Sequence, residues 1–199
     1  MLKVFVAESV SEDDFYDRNW EGNVAQESLR INKQIPYYRI VMTLPLLRRA
    51  VRSAAKRDCQ VFHLSCHGCF DGVTLTNGES LNWQDLAKVF QPFASTKRVL
   101  VLSSCVGGDA GAAQAFQNEQ DRFGWIIGPE ATDDDGLLTF SGACIAWPIL
   151  YTQLSESTER ASFDKAIDNM NRVTPHQFVR RRWDLNEQCY RRHPGKDSR

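Results

Sequence analysis

The chain has 199 residues and a formal net charge of −1, with 42% hydrophobic and 25% charged residues. That is enough chain for one domain with a sizeable core, its composition is ordinary for a globular protein, and the near-neutral balance argues against whole-surface binding of nucleic acid. No apolar run approaches membrane-spanning length and Met1 to Ala7 meets Glu8 too soon for a secretory leader, so the six cysteines are expected as reduced thiols of a cytoplasmic protein.

In chain order, the apolar residues 2–7 predict a buried strand. An acidic stretch follows: Glu8, Glu12, Asp13, Asp14, Asp17, Glu21 and Glu27 stand against a single Arg18 across residues 8–28. A helix is expected over 21–33, broken by Ile35-Pro36, then a strand over 37–42. Thr43 can cap the next helix, and Pro45 suits its first turn. Leu46, Leu47, Ala50, Val51, Ala54 and Ala55 repeat there at helical spacing, with Arg48, Arg49, Arg52, Lys56 and Arg57 filling the other side as a solvated face.

Two runs then stand out. Val61-Phe62-His63-Leu64-Ser65 and Val99-Leu100-Val101-Leu102-Ser103 are short and apolar, as in strands buried on both faces. The first runs into Cys66-His67-Gly68-Cys69 and the second into Ser104-Cys105-Val106-Gly107-Gly108. Between them, Asn77-Gly78 signals a hairpin, and Ser80 or Asn82 can cap a helix that stops at Pro92. Asp109 can cap an alanine-rich helix to about 118, and 123–128 predicts another strand ended by Pro129. The run Asp133-Asp134-Asp135-Gly136 precedes an expected apolar helix over 137–154, with an amphipathic one over 162–172. Residues 176–199, carrying Arg180 to Arg182, Arg191 and Arg192, are expected to lie outside a single domain of residues 1–175, as a basic, partly disordered segment. Alternating strands and helices argue an α/β fold with a mainly parallel sheet.

In such a sheet, functional residues gather beyond the carboxyl ends of neighbouring strands, which would set His67 and Cys105 face to face. Cys105 can be a nucleophile, its thiolate favoured if the helix near Asp109 points its positive end at the sulfur. His67 can move the proton. Backbone N–H groups of Gly68 and Cys105, on strand-end turns, can form an oxyanion hole. No third member is singled out among the carboxylates. Cys59, His63, Cys66, His67 and Cys69 have some zinc-like density, but no second paired-ligand knuckle follows and no metal is expected. Redox and haem readings fail because Phe70-Asp71-Gly72 leads to a hairpin and Phe70 follows the second cysteine.

The segments 62–68, 75–82 and 99–105, in this order, resemble the CHAT branch of caspase-like cysteine peptidases, and the likeness extends over roughly residues 58–171. The resemblance implies a caspase-hemoglobinase fold, a three-layer sandwich with helices on both faces of a mostly parallel sheet. It implies endopeptidase activity without a cofactor, a His67–Cys105 dyad, and Gly68 as an oxyanion donor. Thr132-Asp133 resembles the acidic turn that helps bind a basic P1 side chain in separase-like relatives, making Asp133 and Asp135 candidates for the P1 pocket. The other reading of Asp133 to Asp135 is a helix cap. The segment 117–122 is too short for activation by linker cleavage and no helical-repeat domain is seen, so a separate regulatory protein, or else a self-association surface, is expected beside a protein substrate. By analogy the role would be an effector in bacterial defence or cell death. The alternative is a non-catalytic module that binds a protein partner through its basic C-terminal segment.

Overall fold

The computed structural model describes residues 1–131 and 137–195. The sheet is built on β1 (Lys3–Ser9), β2 (Ile35–Ile40), β3 (Val61–Cys69), β6 (Val99–Ser103) and β7 (Trp125–Glu130), all parallel, in the order β2-β1-β3-β6-β7. β8 (Gln177–Asp184) and β9 (Cys189–His193) extend it antiparallel beyond β7. A small hairpin, β4 (Gly72–Thr74) and β5 (Ser80–Asn82), pairs with the far end of β3.

Helices cover both faces. On one side α3 (Leu44–Lys56), α4 (Trp83–Phe90) and α5 (Ala110–Gln117) close over Phe5, Phe62, Leu64, Leu100 and Leu102. The predicted stripe of α3 is met by Leu47, Ala50, Val51 and Ala54, which are buried, while Leu46 lies exposed, Ala55 is partly buried and the arginines face water. Burying each Leu or Val of this kind is worth roughly 1.5–3 kcal/mol. Five phenylalanines (Phe62, Phe90, Phe93, Phe116 and Phe123) interlock by edge and tilted contacts in this layer. On the other side α2 (Glu21–Ile31), α6 (Phe140–Glu156) and α7 (Arg160–Val173) pack Leu29, Trp147, Tyr151 and Phe163 onto Val4, Val6, Val61, Val99 and Val101. A short acidic helix, α1 (Glu12–Tyr16), sits just beyond the carboxyl end of β1.

Several expectations need correction. α2 ends at Ile31, where Lys33 takes a positive φ of 56°, so Ile35-Pro36 starts β2 instead of breaking the helix. α6 starts at Phe140, and its cap is Thr139, whose hydroxyl accepts from the Gly142 N–H at 3.1 Å; the acidic run 133–135 is not its cap. Asp133 and Asp135 themselves lie outside the described residues, so the P1 assignment made on them has no structural counterpart here.

The largest correction concerns the C-terminal boundary. Residues 177–193 are not an appended tail but two strands of the sheet. Four of their five arginines pair within the fold: Arg180 with Asp164, Arg181 and Arg192 with Glu130, and, at the surface, Arg191 with Asp184. Arg181 is buried, and its Nε donates to the Gly108 carbonyl at 2.7 Å, pinning the turn after β6. That turn is tight. The Gly108 N–H donates to Pro129 O at 2.7 Å, and a Cβ at 108 would lie 2.4 Å from Gly128 O.

Replacing Arg181 with alanine strips the Gly108 carbonyl of its donor and leaves Glu130 with Arg192 alone. Since breaking a buried pair costs about 3–5 kcal/mol, and Arg192 remains, the expected loss is near 3 kcal/mol. Chemical denaturation of Arg181→Ala against the parent chain measures it.

Candidate active site

β3 and β6 run in parallel register from Val61↔Val99 to Ser65↔Ser103. His67 and Cys105 each lie two residues past the last pair, so the register sets them at one sheet edge. Both line the same cleft of about 160 Å³, together with Ser9, Asp14, Glu21, Ser65, Ser103 and Phe140 among others. The sequence places Gly68 on a turn, whereas β3 continues through Cys69 and pairs with the hairpin: His67↔Thr74, Gly68↔Val73, Cys69↔Gly72. His67 therefore stands on a strand braced from outside the main sheet.

The Gly68 and Cys105 backbone N–H groups both lie against the Cys105 sulfur, and the Leu138 carbonyl oxygen is 3.9 Å from Sγ. Close packing explains the glycine: a Cβ at 68 would meet Ser104 Cβ at 2.8 Å and Cys105 N at 3.1 Å, pushing the Cys105 turn away. Burial pushes the Cys105 thiol up from its ordinary value, more than the neighbouring N–H groups pull it down. The helix expected to favour the thiolate, α5, begins five residues on, after the turn.

His67 is half exposed, and its Nε2 lies 2.8 Å from Asp14 Oδ2. Burial works to raise the Asp14 pKa, but hydrogen bonds from Ser11, His67 and Asn19 outweigh it and hold the carboxyl below its usual range. The Ser11 hydroxyl donates to Asp14 at 2.6 Å and also accepts from its N–H, as the cap of α1. Sequence reasoning missed Asp14 because it stands 53 residues before its partner.

Glu21 is the second residue it missed. Its carboxylate lines the cleft, where the Ser103 and Ser65 hydroxyls face it. Trp147 Nε1 donates to Ser103 Oγ at 2.7 Å, which commits the Ser103 proton to Glu21. Burial, reinforced by the charges of Glu8 and Asp14, overcomes these donors and pushes the Glu21 pKa up to about 7. Behind it Glu8 is fully buried, accepting from the Gly22 N–H at 2.7 Å and from the Tyr38 hydroxyl.

The remaining candidates go elsewhere. His63 is buried with Nδ1 2.8 Å from the Tyr151 hydroxyl, and burial drives its pKa down to about 3, keeping it neutral. Cys59 is a core residue and Cys69 is exposed. Cys66 is buried at the edge of the cleft, its thiol pushed far up.

No protein-family model matches the chain, and no curated protein matches it in sequence. Its fold has solved counterparts. A secreted C11 cysteine protease from Bacteroides thetaiotaomicron, iotapain, superposes with a TM-score of 0.57 at 12% identity, over 91% of this chain and 66% of that one. The complex of Porphyromonas gingivalis RgpB pro- and mature domains superposes at 0.54 and 11% identity, over 86% of this chain and 43% of that one. The fold is caspase-like: a mostly parallel sheet with helices on both faces. The chain spans less than half of the RgpB chain and about two thirds of the other.

The Glu21 shift carries a stability consequence. Because the folded carboxyl titrates near 7 against an ordinary 4.5, the native state holds a proton that the unfolded state has released across that window, so stability falls as pH rises through it. Glu21→Gln removes the charge while keeping an acceptor for Ser103. Its thermal midpoint should exceed that of the parent at about pH 8 and match it near pH 4, as calorimetry at the two values would show.

Proposed function

We propose that this chain is a cysteine endopeptidase working through a His67–Cys105 dyad. The observation that carries the reading is the cleft that a histidine and a cysteine line together, with two backbone N–H groups turned to the sulfur. In this mechanism the Asp14 carboxylate accepts from His67 Nε2–H, leaving Nδ1 as the basic ring atom. His67 takes the Cys105 proton as Sγ attacks the scissile carbonyl. The oxyanion forms against the Gly68 and Cys105 N–H groups. Collapse gives an acyl-thioester and an amine that leaves with the proton from His67; water, activated by the same imidazole, then releases the acyl group.

Support for a basic P1 residue comes from Glu21 rather than from Asp133 or Asp135. A carboxylate in the cleft, flanked by the Ser65 and Ser103 hydroxyls, suits a lysine or arginine side chain, since a cation leaving water needs a charged partner. The substrate is a protein, and the raised Cys105 thiol fits an enzyme whose resting state awaits a separate activating protein. A place in the CHAT branch, a cytoplasmic location and an effector role in bacterial defence rest on the motif resemblance alone. The second reading, a non-catalytic module gripping a partner through its C-terminal arginines, is weakened by the pairing of Arg180, Arg181, Arg191 and Arg192 within the fold.

An acyloxymethyl-ketone probe with arginine or lysine at P1 is expected to label Cys105, in preference to the aspartate probe, and Cys105→Ala is expected to abolish labelling and peptide cleavage. Cleavage that survives Cys105→Ala, or preference for aspartate, overturns the assignment.

A pH series isolates Glu21. Below about pH 7 its carboxyl is protonated and a cationic P1 side chain loses its counter-charge. The ratio of kcat/KM for an arginine over a norleucine P1 substrate should fall as pH drops through that value. Ionisations that act on both substrates alike cancel in the ratio. Glu21→Gln should flatten the profile and lower the arginine kcat/KM about 100-fold, in the range seen when a buried charge pair loses one partner.

A further inference from the structure

At the β2 edge of the sheet, far along from β9, the chain carries a cluster of cations for which the described residues provide no acidic partner. Arg39 lies on β2, Arg48, Arg49, Arg52 and Lys56 lie on α3, and Arg57 is its C-cap. Among the described residues none of these six enters an ion pair: Arg39 donates to the Tyr38 carbonyl, and Arg57 donates to Ser53 Oγ and lies over the Tyr37 ring at 4.7 Å. The nearest acid in sequence, Asp58, pairs with Arg98. Six like charges on one face of a chain whose net charge is −1 repel one another, a cost that an anionic partner would offset.

The cations border a groove. A cleft of about 310 Å³ runs between α3 and β2, lined by Phe5, Val41, Leu46 and Ala50 at its apolar floor and by Arg39, Arg49 and Arg57 at its rim. On α3, Leu46, Arg49, Ser53 and Arg57 follow at spacings of three and four, so one helix stripe faces the strand. The strand side is open: among the described residues β2 pairs only with β1. Ile35 N–H donates to Leu2 O and Val41 N–H to Glu8 O, so alternation turns the backbone groups of Tyr38 and Ile40 outward, where the exposed Arg39 side chain holds the Tyr38 carbonyl until a strand displaces it. Pro36 falls at the outward position where no N–H is needed. A free strand edge beside a helix is the arrangement that takes an extended peptide as an added strand, backbone bonds giving affinity and alternate side chains giving choice.

We infer that this groove binds an extended acidic segment of a protein partner, added to β2, with the carboxylates of one strand face on Arg39, Arg49 and Arg57 and the alternate apolar side chains turned to the opposite face of the sheet, beside Tyr38 and Ile40. A peptide fits better than nucleic acid: the floor is apolar, Leu46 and Met42 are 39% and 47% exposed beside it, and the open backbone pairs with another backbone. β2 is parallel to β3 and β6, so the Ile40 end of the groove opens toward the edge that holds Cys105. The inference stands apart from the peptidase reading, because it concerns binding and can be tested on a chain that lacks the nucleophile.

The test uses Cys105→Ala protein and a fluorescein-labelled peptide of alternating glutamate and valine, read by anisotropy at low salt. A peptide with lysine for glutamate and a single-stranded oligonucleotide serve as competitors. The expected result is saturable binding of the acidic peptide at micromolar concentration, about tenfold weaker in Arg49→Glu/Arg57→Glu. The bound state should slow hydrogen exchange at the Tyr38 and Ile40 amides. Both substituted side chains are exposed, and Arg49→Gln/Arg57→Gln should give an intermediate loss with an unchanged melting temperature. Absence of saturation, equal binding to the reversed variant, unchanged exchange at β2, or displacement of the peptide by the oligonucleotide but not by excess unlabelled acidic peptide each overturns the inference.

Discussion

The parallel pairing of β3 with β6 is the constraint on which the cleft depends. Five residue pairs, Val61↔Val99 to Ser65↔Ser103, bury both strands on both faces. A one-residue slip would turn Val61, His63 and Ser65 to the opposite helix layer, so the two cores hold the register. With the register held, the next residues of each strand have nowhere to go but the same edge. Chemistry at this edge follows from packing that has no knowledge of it.

From there the two strands diverge, and the divergence shapes the cleft. β3 carries on as a strand and is braced by β4, whereas β6 ends in a glycine-rich turn clamped by Arg181 and Pro129 O. One side is thus a stiff strand presenting His67 and the Gly68 N–H. The other is a tight turn presenting Cys105. Both clamps come from later parts of the chain, the second from β8, which is why the C-terminal strands belong to the domain.

What was legible in the sequence was whatever a buried strand advertises. The runs 61–65 and 99–103 are continuous and apolar because parallel strands bury both faces, and their ends could be found without coordinates. The strand over 177–184 was hidden because its buried positions include Arg180 and Arg181, whose charges are satisfied by Asp164 and Glu130 at distant points of the chain. Pairing at that range leaves no local pattern. The continuation of β3 was hidden by Cys-His-Gly-Cys, a composition that suits a turn, and only the partner hairpin makes it a strand. Asp14 and Glu21 were hidden differently. The rule that drew attention to the ends of β3 and β6 applies equally to β1, and its carboxyl end feeds directly into the acidic stretch.

That stretch, first visible as a charge imbalance, resolves into three carboxylates in three environments. Glu8 is fully buried and holds the first turn of α2 through the Gly22 N–H. Asp14, partly exposed, is held ionised by Ser11, Asn19 and His67. Glu21, enclosed by protein and beside two other acids, is pushed the other way to about 7. Residues of one chemical type within 14 positions are thereby driven apart by burial and donors alone, the usual means by which one site keeps carboxylates for different duties. In the proposed enzyme, Asp14 must stay charged to orient His67, while Glu21 gains most from a cation that enters the cleft, because an ion pair there lowers the cost that burial imposes. In that proposal the ionised Glu21 raises the energy of the empty cleft, and a basic P1 side chain would relieve it. On this view, selectivity for charge comes from a strain already present before the substrate arrives.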